Sequence, residues 1–155
     1  MDEKTRRIPI AADHGAFELK QRIIEHLEKA GFEPVDMGVH EEKSVDYPDF
    51  AAKVAEAVSG GEYDRGVLLC GTGIGMAIAA NKVPGIRAAL VHDNYTARMS
   101  RLHNDSNILV MGGRVIGVAV ALDIVDAWLA TPYEGGRHAR RLDKITAIEK
   151  RTSEK

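Results

Sequence analysis

Short apolar runs of strand length alternate along the chain with longer stretches whose apolar residues recur at helical spacing. RIPIAA (7–12) reads as a first strand. AFELKQRIIEHLEKAG follows, with Phe17, Leu19, Ile23, Ile24 and Leu27 on one helical face and Gly31 as a stop. FEPVDMG (32–38) predicts a second strand, and DYPDFAAKVAEAVSGG a helix with Pro48 near its start. RGVLLC (65–70) has no polar alternation, which predicts a strand buried on both faces. GIGMAIAANKV is a helix of small residues. RAALVH (87–92), a helix from Asn94 to about His103, and NILVMG (107–112) continue the rhythm. A helix after Gly117 and a last one from about Gly136 end it.

Five strands alternating with helices predict an α/β protein, a Rossmann-like three-layer αβα sandwich on a five-stranded parallel sheet. In such sheets ligands bind beyond the carboxyl ends of the strands. Asp13 and His14 follow the first strand, Cys70 ends the third, Asp93 follows the fourth and Arg114 the fifth. The chain of 155 residues suits one domain, with 1–6 and 151–155 expected as loose ends.

Composition narrows the function classes. The net charge of −2 and the few aromatic residues argue against a nucleic-acid or anionic-membrane partner. GVAVALDIVDAWLA (117–130) is the most apolar stretch. It is too short to span a bilayer and carries Asp123 and Asp126, so it reads as a buried helix. A single cysteine, with no signal-peptide pattern at the start, points to a reducing cytoplasm.

That cysteine, Cys70, opens a loop with glycines at 71, 73 and 75. Such a loop can turn its amides inward as an anion-binding nest, or can simply be a tight strand-to-helix turn. It fits neither the dinucleotide pattern, because Met76 stands where glycine is needed, nor the phosphate-loop pattern. A thiol beside unpaired amides ionises more readily than a free one and can act as nucleophile or base. A lone cysteine is otherwise an inert core residue. Asp13-His14-Gly15 can meet a ligand or cap a helix. His103, Asn104 and Asp105 offer acid–base chemistry or a polar loop. Arg137 and Arg141, one helical turn apart, can grip a phosphate or form a solvated basic face, with His138 and Arg140 pointing elsewhere.

AADHGAFELK, DYPDFA, LLCGTGIGMAIAANKVPGIRAAL, SRLHNDSNILVMGGRVIG and DAWLATPYEGGRHARRLDKI together resemble the ribose-5-phosphate isomerase B family, which includes galactose- and allose-6-phosphate isomerases. The resemblance runs from Ile8 to about Ile148. It implies a homodimer or dimer of dimers that interconverts aldose and ketose phosphates through an enediolate, with no metal and no organic cofactor. By position, Cys70 would move the proton between C1 and C2, and Thr72 would help a proton pass between the oxygens. Amides of Gly71, Gly73 and Gly75 would form the anion hole. His103 would open the ring, and Asp13 and Asn104 would bind hydroxyls. His14, Arg114, Arg137 and Arg141 would hold the phosphate, with Tyr47 lining the site. The resemblance also implies sites shared between subunits. Met76 follows the last loop glycine, as in members whose base is cysteine; others carry serine with a glutamate there. A hexose 6-phosphate or tetrose 4-phosphate substrate, a phosphate-sensing module and an inactive partner subunit are the alternatives.

Overall fold

A computed structural model describes residues 1–154 and contains the expected sheet. Strands β1 (Arg7–Ala12), β2 (Glu33–Asp36), β3 (Gly66–Cys70), β4 (Ala88–Leu90) and β5 (Ile108–Gly112) are all parallel, in the order β2-β1-β3-β5-β4. Every residue of β3 and β5 is buried, as their unbroken apolar runs require.

Helices cover both faces. α2 (Phe17–Lys29), α5 (Asn94–Leu102) and α6 (Val118–Ala130) bring Leu19, Ile23, Leu27, Ala97, Ile124 and Trp128 to one core. α3 (Tyr47–Ser59) and α4 (Ile74–Ala80) pack Ala51, Val54, Val58, Met76 and Ala80 on the other. The sheet order reverses between β1 and β3. The loops leaving these strands therefore part to opposite faces and open a crevice at their carboxyl ends.

Three details differ from the sequence pattern. α6, apolar enough to suggest burial all round, buries one face only; Val120 is exposed, and Asp123 and Asp126 bind Asn94 and His26 at the surface. The core face of α2 includes a charge. Lys20 is fully buried, with its Nζ 2.6 Å from Asp36 Oδ1 and 2.7 Å from the Val39 carbonyl. Helix occurs within both ends expected to be loose: α1 (Glu3–Arg6) is capped by Asp2, and α7 (Arg137–Ser153) includes residues 151–153, while Lys155 lies outside the described residues. Of the 17 residues of α7 only His138 is buried.

Candidate active site

At the switch point the β3–α4 loop turns on glycine. Gly73 takes φ +81°, and a side chain there would strike Leu90 and the Met111 backbone. The turn directs the Gly73 amide at Cys70 Sγ, 3.1 Å away. A donor aimed at the sulfur stabilises negative charge on it. Cys70 itself is buried, at the edge of a loop in which Gly71 is half-buried and Thr72 exposed. The Ile74 amide donates to Thr72 Oγ1 at 3.3 Å, which leaves the hydroxyl proton free.

Neighbouring loops close on this turn. Gly15 backs onto it so tightly that an added Cβ would lie 3.1 Å from Gly71. Asp13 is buried, and its carboxylate accepts the Gly15 amide at 2.9 Å, so it does cap the turn His14–Ala16. His14 is exposed, with the Val45 amide 3.4 Å from its Nδ1. The Arg114 guanidinium lies across Gly71, and the Tyr47 ring across Gly75. Asp13, His14, Tyr47, Cys70, Thr72 and Arg114 thus share one crevice.

His103, Asn104, Arg137 and Arg141 assemble elsewhere. α5 runs back from the carboxyl edge of the sheet, so His103 at its end lies at the amino edge, ahead of β5. Its ring stacks on His138 of α7, centroids 4.3 Å apart and planes 18° apart. Arg137 and Arg141 stand exposed beside that stack. The strand register pairs Gly66 with Ile108 and Cys70 with Gly112, which at about 3.3 Å per residue puts roughly 13 Å between the two sheet edges. Within one chain, then, the thiol and His103 are at opposite edges of the sheet.

A family model described as Ribose/Galactose Isomerase matches residues 8–145. The chain belongs to that family. Among the relatives of this isomerase-family chain is ribose-5-phosphate isomerase B of Escherichia coli (strain K12), 51% identical over 94% of this chain and 98% of its own. Among solved structures, ribose-5-phosphate isomerase B of Clostridium thermocellum is 58% identical with a TM-score of 0.93, covering 94% of this chain and 99% of that one. The enzyme of Mycoplasma genitalium, solved with bound ribulose-5-phosphate, is 44% identical with a TM-score of 0.89, covering 93% and 96%.

The sequence pattern missed His138, which helical spacing sets off the face of Arg137 and Arg141. It is buried, and Glu134 Oε2 stands 3.4 Å from its Nε2 without the alignment of a hydrogen bond, so that nitrogen has no partner. The i,i+4 spacing of Glu134 and His138 was the available signal. His103, Glu134 and His138 each offer one potential metal-ligating atom, all within 4.8 Å. The two rings are nearly parallel, however, so their lone pairs point side by side and do not converge on one point. That arrangement suits hydrogen bonding to a ligand better than chelation.

Proposed function

We propose that the chain interconverts ribose 5-phosphate and ribulose 5-phosphate, with the Cys70 thiolate as base. The observation that carries this reading is the Gly73 amide aimed at Cys70 Sγ within the glycine turn. Base and anion site occupy one turn. The thiolate takes the proton from C2 of the open aldose, and the electron pair moves through C1 onto the carbonyl oxygen. Loop amides stabilise that developing charge as it forms. The free Thr72 hydroxyl carries a proton between O1 and O2. The Cys70 thiol then returns its proton to C1, giving the ketose. Asp13 holds a hydroxyl. His14 and Arg114 receive the phosphate, and Tyr47 closes the side of the crevice. A free cysteine in this role suits a reducing cytoplasm; among the described residues no helix is long and apolar enough to cross a membrane.

The remaining groups come from a second copy. His103 of the partner subunit opens the furanose ring, assisted by its stacking on His138. Asn104 of the partner subunit binds a hydroxyl, and Arg137 and Arg141 of the partner subunit complete the phosphate site. Two observations support a homodimer, alone or paired as a dimer of dimers. The thiol and His103 lie at opposite edges of one chain's sheet. The helix that begins in the glycine loop presents Ile74 and Ile78, one turn apart and more than half exposed. Docking a second copy on that helix covers these residues and brings its surface beside Cys70.

The test is conversion of a panel of pentose 5-phosphates, hexose 6-phosphates and tetrose 4-phosphates, followed by isomer analysis. Ribose 5-phosphate should give the highest kcat/KM. A higher value for a hexose or tetrose phosphate would move the assignment to that sugar, and no conversion of any would leave a phosphate-binding module.

A further inference from the structure

Charges that the reaction does not use gather on the underside of the 103–107 loop. A cavity of about 450 Å³ opens there, lined among others by Asp64, Arg65, Arg87, Arg101 and Asp105. Arg87 and Arg101 share Asp105, at 3.2 and 2.9 Å from its two carboxylate oxygens. Arg101 also donates to the Ser106 carbonyl at 2.6 Å. Arg65 is different. Its Nη1 donates to the Leu129 carbonyl at 3.0 Å, and among the described residues it forms no ion pair. The adjacent acid, Asp64, pairs with Lys4 at 3.2 Å while also lining the cavity.

Two of these cations share one aromatic contact. The guanidinium carbons of Arg65 and Arg101 lie 5.7 and 5.8 Å from the centroid of the same Trp128 ring. Burial first, and then the positive charge of Arg101, hold the Arg65 guanidinium below its usual range. The charge of Asp64 offsets this in part, but the half-buried guanidinium has no ion-pair partner among the described residues. The missing group is an anion, and the open cavity leads to it.

We propose that this cavity is a second anion site, in which Arg65 and Arg101 grip a phosphate group, free or carried by a small phosphate ester. Arg65 offers the N–H groups that its bond to Leu129 leaves over, and Arg101 the Nη2 that its bonds to Asp105, Ser106 and Thr131 leave over, to the oxygens of one phosphate. The volume lies in the range of small-molecule pockets and leaves room for the body of an ester. The site lies at the amino edge of the sheet, where Arg65 precedes β3, and it uses none of the residues assigned to the reaction.

Inorganic phosphate is titrated calorimetrically into the wild-type protein, Arg65→Met and Arg137→Ala, and each titration is repeated with the non-reacting 5-phosphoribonate. The wild type should bind phosphate at two sites per chain. Arg65→Met should keep its turnover while affinity at one site falls by about tenfold or more. Arg65→Gln serves if the methionine variant does not fold, as judged by circular dichroism. Binding of 5-phosphoribonate at both wild-type sites assigns the cavity to phosphate esters; binding at one only assigns it to free phosphate. A single phosphate site in the wild type, or two sites unchanged when Arg65 is replaced, would overturn the proposal. Two sites unchanged in Arg137→Ala would count against the catalytic phosphate assignment alone.

Discussion

Replacing Cys70 by alanine removes a sulfur that receives the Gly73 amide and leaves the loop its glycines. Turnover should therefore fall by about 10²–10⁴-fold, the contribution of a positioned general base, while binding of 5-phosphoribonate survives. Calorimetry of the variant beside its kcat separates the two. Undiminished turnover would remove the thiolate from the reaction. Residues such as Cys70, Asp13 and Arg114 were legible in the sequence because each is fixed by a strand end, and a strand end is local information. His138 was not. Its burial comes from stacking on His103, across a loop and 35 positions away. A helical wheel of 137–141 contains no trace of that partner.

At the scale of the element, the alternation of strands and helices located the sheet and the helices that cover it, but neither α1 nor the contacts between elements. Gly75 lies in the first turn of α4, where alanine is intrinsically the better residue. A Cβ there would stand 2.5 Å from Cζ of Tyr47, a side chain exposed enough to swing aside. Gly75→Ala should leave the thermal midpoint unchanged or raise it, yet lower kcat/KM by about tenfold by displacing Tyr47 from the crevice. A variant with native kcat/KM would show that Tyr47 does not shape the site. Lys20 provides the second case, a charge that periodicity places in the core and that only the β2 end explains. Asp36→Asn leaves its ammonium fully buried without a counter-charge, and should cost about 3–5 kcal/mol in urea unfolding. Lys20→Met should cost clearly less, because the Asp36 side chain is 31% exposed and water can solvate it. Equal losses would mean that packing, not charge compensation, dominates the pair.

At the scale of the whole molecule, the residues proposed for the site divide along the sheet. Asp13 and Arg114 follow strands and Cys70 ends one, whereas His103 precedes one, and in a parallel sheet those positions belong to opposite edges. The alternation of strands and helices contained this geometry, but the sequence alone has no second copy to set against the first. The division predicts complementation between inactive variants. Cys70→Ala and His103→Gln, each purified, should both be nearly inactive on ribose 5-phosphate. In a mixed dimer, one site combines both replaced residues and is dead. The other combines the native Cys70 of one chain with the native His103 of its partner and is whole. Random reassociation at equal amounts makes half of the dimers mixed, so refolding the two together should restore about one quarter of wild-type activity. Initial rates before and after mixing, with each variant refolded alone as control, give the answer. If Cys70 and His103 acted within one chain, no mixed dimer would contain an intact site and mixing would restore nothing. A recovery near one quarter requires both that the subunits exchange and that each site is built from two of them, and no rearrangement within a single chain produces it.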